Sequence, residues 1–350
     1  MTIDEPQPQT SASVRSPDLS VLLVTDELQT IRKTLAYLRA QTVRDRIQIV
    51  VGAPAGADVS ADAPDFDGFA DVRLVEVPAA SVRDARAATL RGATAPIVAV
   101  GETHAYPRSD YAEKLIEAHQ GPWAAVGPAM ENANPGTVIS WVELFMSYGP
   151  WFEPHRGVAH DLPGHNSAYK RHVLLELGDR LETVVGHSTS LHPALRALGH
   201  ELYIEPAARV DHLNPSRWRS YFALAFEAGR LYGVLRSAEW PPARRVVYIA
   251  GSPLIPAVRL WKIVRDARRS ARGRAVIPRV VPALVPMLVS NAIGEASGYL
   301  FGAGRTDHLD DAELHRTHYI RQAERLREED ETTWPAQEAA RSATGTSPSA

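Results

Sequence analysis

The chain has 350 residues, a length that allows one large or two modest domains with a full hydrophobic core. Its lack of cysteine excludes disulfides, thiolate metal sites and a cysteine nucleophile, and its 45% hydrophobic and 23% charged residues are typical of a soluble globular chain, not of a disordered or polytopic membrane protein. The formal net charge of -3 gives no electrostatic case for nucleic acid, so we expect no nucleic-acid partner.

The two ends of the chain differ in composition from its middle. Residues 1–17 are acidic and rich in proline and serine, and they lack the apolar core of a secretory signal peptide. We therefore predict a disordered tail there and no signal peptide. Residues 306–350 carry many charges and then small polar residues, which predicts a charged helix followed by a second disordered tail.

Between residues 19 and 110, short apolar runs alternate with segments of helical spacing. The predicted strands are 19–24, 47–51, 72–77 and 97–100, and the predicted helices are 28–39 and 82–95. This alternation predicts an α/β fold, a mostly parallel sheet flanked by helices, in which ligands sit beyond the carboxyl ends of the strands. The segments after Val24, Val51 and Val100 should therefore line any pocket, beginning with Thr25.

The elements after residue 110 are less regular. They are predicted as a helix at 111–119, a strand at 124–127, an aromatic stretch at 141–152, helices at 168–177 and 191–198, and a strand at 202–204. We place all of them with the preceding elements in one domain, residues 18–235.

Two motifs near the fourth predicted strand carry charged side chains suited to a phosphate ligand. In GETH (101–104), Glu102 and His104 lie at the pocket rim, where they can hold a divalent cation such as Mg²⁺ or Mn²⁺; the alternative is an ordinary polar strand end. Upstream, Arg83 and Arg86 lie near the start of a predicted helix, where guanidinium and backbone N–H groups can bind phosphate. A solvated arginine face fits that second pattern equally well.

Four histidines later in the same domain are further candidate ligands: His165, His187, His192 and His212. Imidazole titrates near neutral pH and binds metals, so each can serve a catalytic site. In a chain with 13 histidines, each one taken alone is more often structural.

The order and spacing of these motifs resemble the family 2 glycosyltransferases of the GT-A fold. The likeness runs over about residues 19–230 and rests on the first strand and helix and on three later segments. These segments are ARAATLRGATAPIVAVGETHAYP (85–107), LPGHNSAYKRHVLLELG (162–178) and GHSTSLHPALRALGHELYIEPAARVDHLNPS (186–216).

That resemblance implies a nucleotide-diphosphate sugar donor, a divalent cation (Mg²⁺ or Mn²⁺) and inverting transfer, in which a base takes the proton of the acceptor hydroxyl. By position it makes Glu102 a metal or ribose contact, with His104 and His212 as further metal ligands. It also makes Arg86 face the diphosphate and Asn166 line the acceptor side. The full set of predicted donor-binding residues is Thr25, Arg83, Arg86, Glu102 and Asn166.

The chain departs from the family pattern at three places. First, His187 and Ser188 stand where the family has an acidic pair that includes the catalytic base. Second, residues 52–54 lack the aspartate with which the family recognises the nucleobase. Third, Thr103 stands where the family usually has an acidic residue. We predict that His187, with Ser188 beside it, supplies the base, because a neutral imidazole can accept a proton near neutral pH. The alternative is a catalytically degenerate protein that binds nucleotide or sugar, or acts as a scaffold.

Residues 240–305 combine apolar and basic sequence. Between residues 244 and 279 there are ten Lys or Arg and one acid, and the flanking apolar runs, 246–258 and 280–294, are shorter than the roughly twenty residues of a simple spanning helix. The pattern predicts a helical module that lies on, or dips into, the cytoplasmic face of a membrane. A soluble helical subdomain with an arginine-rich side is the alternative.

Taken together, these features predict a membrane-associated glycosyltransferase. It would move a sugar from a nucleotide-diphosphate donor to a lipid-linked or polysaccharide acceptor of the cell envelope.

Overall fold

The computed structural model describes residues 16–77, 82–185, 188–304 and 307–334. The strands in these ranges are β1 (Leu19–Val24), β2 (Ile47–Ala53), β3 (Asp71–Glu76), β4 (Ile97–Val100), β5 (Ala105–Pro107), β6 (Ala125–Asn132), β7 (Gly157–Ala159), β8 (Ala168–Lys170) and β9 (Leu202–His212). The helices are α1 (Leu28–Arg39), α2 (Val82–Thr89), α3 (Tyr111–Ala118), α4 (Val138–Tyr148), α5 (Arg171–Leu175), α6 (Leu181–Val185), α7 (Ser188–Ala197), α8 (Trp218–Ser237), α9 (Pro242–Gly251), α10 (Ile255–Ala267), α11 (Ala271–Phe301), α12 (Asp307–Leu314) and α13 (Gln322–Glu328).

The nine strands of the described ranges form one sheet in the order β3-β2-β1-β4-β8-β6-β9-β5, and β7 pairs with β9. Parallel pairing joins β1, β2, β3 and β4, and β8 then runs antiparallel to both β4 and β6. Because β6 and β9 pair in parallel, six of these nine strands point the same way. The predicted α/β architecture, with a mostly parallel sheet flanked by helices and a C-terminal helical region, is confirmed.

The register of the parallel strands brings the expected ligand-binding segments together. Val24 pairs with Gly52, and Leu22 pairs with Val100, so the chain leaves β1, β2 and β4 at one edge of the sheet. β1 and β4 are buried along their whole length, which explains why they are continuous apolar runs and not alternating ones.

Two predicted elements differ in the structure because pairing with distant chain segments determines their conformation. Residues 168–177 do not form one helix: Ala168–Lys170 fills the sheet between β4 and β6 as a strand, and only Arg171–Leu175 is helical. The strand predicted at 202–204 runs on to His212 through a bulge, where the pairing with β6 jumps from Glu205 to Arg209. This extension carries β9 to the candidate site.

The C-terminal helical region is built on close contact between α8 and α11. A Cβ added at Gly229 would lie 2.0 Å from the backbone oxygen of Asn291, so the two helices approach more closely than any side chain would permit. Helix α11 continues through Pro278, Pro282 and Pro286, and it therefore extends well beyond the apolar run 280–294. Packing along α8 stabilises a helix that the prolines alone would interrupt.

Two segments of this region are long and apolar enough to cross a membrane, judged by length and composition. They are Pro242–Ala267, which includes α9 and α10, and Ala271–Phe301, which is α11. The most apolar stretch of 18 residues in the first segment contains no buried residue. In the corresponding stretch of the second segment, 56% of the residues are buried, as in the core helix of a soluble protein.

The segment from residue 307 to 334 folds back over the sheet edge. Trp334 is buried in a small cluster with Tyr37 and Tyr106, and Lys33 of α1 forms an ion pair of 2.7 Å with Glu328 of α13. The predicted charged helix at this end is thus two short helices, α12 and α13, that pack against the α/β domain.

Candidate active site

Glu102 is the centre of the candidate site. It follows β4 by two residues, and its side chain is almost completely buried. The amide of Asn166 donates to Oε2 (2.7 Å), the hydroxyl of Tyr148 donates to Oε1 (3.2 Å), and Nδ1 of His165 contacts Oε1. Burial raises the pKa of this carboxyl, but the charge and hydrogen bond of His165 outweigh burial and hold the pKa far below its usual range. Glu102 is therefore a buried carboxylate.

The turn before β8 delivers two of these partners. Asn166 has a positive φ of 61°, a left-handed conformation that asparagine tolerates better than most residues. Its backbone N–H donates to the carbonyl of Val100 (2.6 Å), and its own carbonyl accepts from Tyr111 (2.7 Å). This anchoring aims the side-chain amide at Glu102.

His104 and His212 are brought beside Glu102 by the antiparallel pairing of β5 with β9, which sets Ala105 opposite His212. The two rings meet edge to face with centroids 4.8 Å apart, and each Nε2 lies 3.8 Å from a Glu102 oxygen. Burial lowers the pKa of both imidazoles. Both are therefore neutral near pH 7, as metal ligands must be.

Among the residues that the structure describes, two groups of side chains are close enough to hold one metal ion, and both include Glu102. In each group the candidate ligand atoms lie within 4.8 Å of one another. The first group, Glu102, His104 and His212, is wholly buried and is the predicted set. The second, Glu102, His165 and Glu313, is partly open to solvent. Carboxylate and imidazole donors together fit a divalent transition metal such as Mn²⁺.

The C-terminal segment supplies two residues that the sequence analysis missed. Glu313 of α12 forms an ion pair with Arg86, and its backbone carbonyl accepts from the Thr103 hydroxyl at 2.7 Å. Arg316, two residues beyond α12, donates from Nη2 to Nε2 of His104 at 2.7 Å. No local motif marks either residue, because their partners lie 210 to 227 residues earlier in the chain.

The other predicted residues have different surroundings. Arg86 reaches the site, but its guanidinium is paired with Glu313. Thr25 is buried and donates to the backbone carbonyl of Glu27 at 2.6 Å, so its hydroxyl serves a local turn. His192 is buried elsewhere, against Tyr169 and Asp161.

Three predicted residues are not tested by these contacts. His187 lies outside the described residues. Ser188 begins α7, but its side chain and that of Arg83 are outside the described part of the structure. Their roles stay predictions.

A cavity of about 780 Å³ adjoins the site. One end is lined by Glu102, His165 and His212, as the sheet topology predicts. The other end is lined by the C-terminal helices, with Tyr232 of α8, Arg259 and Lys262 of α10 and Leu288 and Asn291 of α11 among its walls. The helical region therefore forms part of the cavity wall.

No protein-family model matches the chain, and no curated protein sequence matches it. Similar solved structures include the mannosyltransferase PcManGT from Pyrobaculum calidifontis in complex with GDP-Man and Mn²⁺ (16% identity, 83% of this chain and 90% of that chain, TM-score 0.47). Another is GalNAc-T7 with UDP, GalNAc and Mn²⁺ (13% identity, 56% of this chain and 43% of that chain, TM-score 0.42). A third is S. aureus TarS (13% identity, 80% of this chain and 55% of that chain, TM-score 0.39).

Proposed function

We propose that this chain is a glycosyltransferase with a GT-A type domain at residues 18–235, which moves a sugar from a nucleotide-diphosphate donor to an acceptor. The observation that carries the proposal is the convergence on Glu102. Side chains from three distant segments, represented by Asn166, His212 and Glu313, meet this buried carboxylate beside a large cavity. Charged and titratable groups gathered at the carboxyl edge of a parallel sheet support a catalytic role over a structural one.

We propose that Glu102 holds a divalent cation together with imidazole ligands. Either group of three ligands fits, but Arg316 already occupies Nε2 of His104. A metal bound through that nitrogen would have to displace Arg316, whereas binding through His165 and Glu313 leaves it in place. A bound cation would supply positive charge against the departing diphosphate.

The two ligand sets are separated by a pair of substitutions. His104→Ala should abolish Mn²⁺ binding if the buried set is used, and His165→Ala should abolish it if the more open set is used. Mn²⁺ titration followed by calorimetry measures both variants. If both variants bind Mn²⁺ as tightly as the wild-type chain, neither of these two imidazoles is a ligand.

The donor and the base follow from the same proposal. Arg86 would contact the diphosphate once Glu313 leaves its ion pair with Arg86 to bind the metal. The side-chain amide of Asn166 would hold the Glu102 carboxylate in place. We propose His187 as the base that takes the acceptor proton. His187→Ala should then stop transfer while leaving donor binding unchanged.

We further propose a lipid-linked or glycan acceptor, reached from the cytoplasmic face of a membrane on which residues 240–305 lie. The support is the surface of residues 242–267, where Val247 of α9, Leu254 between the two helices and Trp261 of α10 are all more than 60% exposed. Arg244, Lys262 and neighbouring arginines lie among these apolar side chains, a combination suited to an anionic lipid surface. The cavity beside Glu102 is also lined by α10, through Arg259 and Lys262, so an acceptor would enter from the membrane side.

The central experiment is calorimetric titration of UDP and of GDP, each with and without Mn²⁺. The wild-type chain should bind one nucleotide more tightly with Mn²⁺, and Glu102→Ala should lose that gain, at least about tenfold in Kd or about 1.4 kcal/mol. Glu117→Ala, at an exposed position on α3, is the matched control. Absence of nucleotide binding under every condition would refute the proposal.

The alternative, a nucleotide-binding or scaffold protein without transfer activity, predicts the same titration but no turnover. A donor-hydrolysis assay separates the two. Ser188→Asp restores an acid where the family has one, so turnover that appears only in this variant would favour the degenerate protein.

A further inference from the structure

Arg316 is a buried cation with an incomplete set of partners. The residue is only 9% exposed, and its one side-chain hydrogen bond to another described residue runs from Nη2 to His104. Nε is buried and has no hydrogen-bond partner among the residues that the structure describes. Within the same residues, no carboxylate lies within 4.0 Å of its guanidinium nitrogens. Arg316 therefore lacks a direct carboxylate contact within the described part of the chain, and the charge of Glu313 acts on it only at longer range.

The physical cost of this arrangement favours an anionic ligand. A charge removed from water is destabilising unless it is paired and hydrogen-bonded, and an imidazole offers no negative charge in return. The arginine fork matches a phosphate group, which can accept two parallel hydrogen bonds from Nε and Nη. An arginine held in this state is suited to binding phosphate.

The position of Arg316 identifies where that phosphate would be. Arg316 is one of the residues that line the same cavity as Glu102, His165 and His212. The segment that carries it is fixed to the domain on both sides, by the Thr103 contact to Glu313 and by the hydrogen bond from the Ser216 backbone N–H to the Tyr319 carbonyl (3.1 Å). Arg316 is thus preorganised at the metal-binding end of the cavity.

We infer that Arg316 binds a phosphate group of the nucleotide-diphosphate donor, so that residues 307–334 are part of the donor site. This inference rests on the proposed glycosyltransferase function. It gives the orphan Nε a partner, and it adds to Arg86 a second arginine from a distant part of the chain.

Calorimetry on four probes tests the inference: the nucleotide diphosphate that the wild-type chain binds, its nucleoside, inorganic pyrophosphate, and an alkyl phosphate. Arg316→Gln should weaken binding of the nucleotide diphosphate and of pyrophosphate at least tenfold and leave the nucleoside unchanged. Arg316→Lys keeps the charge and loses the fork, so it should fall between the wild type and the glutamine variant. Arg325→Gln, an exposed arginine of α13, should match the wild type.

The outcomes separate this inference from the function on which it rests. A wild-type chain that binds no nucleotide diphosphate refutes the proposed function. A wild-type chain that binds it while Arg316→Gln and Arg316→Lys bind it equally well overturns the role of Arg316 alone. If instead both variants lose only the binding of an alkyl phosphate, the arginine serves a phosphorylated acceptor and the donor assignment is wrong. Circular dichroism of each variant identifies a chain that has failed to fold, and the lysine variant then decides.

Discussion

The ion pair between Arg86 and Glu313 should make the stability of the folded chain depend on pH. Burial raises the pKa of Glu313, but the charge of Arg86, together with smaller contributions from His165 and Arg316, outweighs burial and lowers the pKa to about 2, from 4.5 for an unpaired glutamate. Each unit of difference between the pKa in the folded chain and the pKa in the unfolded chain corresponds to about 1.4 kcal/mol. The ionised Glu313 side chain therefore contributes about 3 kcal/mol to folding at neutral pH.

The sign of the effect follows from linkage. A carboxyl whose pKa is lowered by folding stabilises the protein above the pKa of the unfolded chain, and that stabilisation is lost as the pH falls toward the folded value. The relevant window for Glu313 runs from 4.5 down to about 2. Between pH 7 and pH 3 the loss is about 2 kcal/mol.

Glu313→Gln isolates this contribution from all other titrating groups. The free energy of unfolding, measured by urea denaturation with circular dichroism, should be about 3 kcal/mol lower than the wild-type value at pH 7. The difference should shrink to about 1 kcal/mol at pH 3. Glu329→Gln, which removes an exposed ion pair with Arg325, should change stability by less than about 0.5 kcal/mol at either pH. A wild-type to Glu313→Gln difference that stays constant from pH 7 to pH 3 would refute the reasoning.

Two further predictions concern the C-terminal helices. Gly229→Ala should destabilise the chain by at least about 3 kcal/mol in thermal unfolding, because its Cβ would lie 2.0 Å from a backbone oxygen of α11, whereas Gly251→Ala, with open space around its Cβ, should cause no loss. Trp261→Glu should reduce co-sedimentation with anionic vesicles at low salt several-fold, and Leu326→Glu, an equally exposed apolar position on α13, should not. Equal sedimentation of wild type and Trp261→Glu would contradict the membrane-facing role of α10.

The fold could be predicted from the sequence where local patterns decide the structure. The strands at 19–24 and 97–100 are buried apolar runs, and the structure gives them the same bounds as the sequence. The sequence predicts helix at residues 168–170, because the helical pattern after them has no local break. Their strand conformation depends on pairing with β4 and β6, which is a non-local interaction.

The candidate site divides in the same way. Glu102 could be found because it follows a strand in a fold whose ligands lie at strand ends, and His212 because the family resemblance marks its position. The β5 to β9 register that joins them is not visible in the sequence. Glu313 and Arg316 belong to a charged segment without any motif, and only tertiary packing brings them to the site.

The charges at this site argue that metal and donor bind together. The site holds two carboxylates, Glu102 and Glu313, and two arginines, Arg86 and Arg316. The formal charges of these four side chains therefore sum to zero. A divalent cation alone would leave excess positive charge in a largely buried place, and a diphosphate alone would leave excess negative charge; each is costly where water is scarce. Bound as a pair, they largely cancel, with the cation beside the carboxylates and the phosphates beside the arginines. This balance is the physical reason to expect Mn²⁺ to strengthen nucleotide binding, and to expect that effect to vanish when the Glu102 carboxylate is removed.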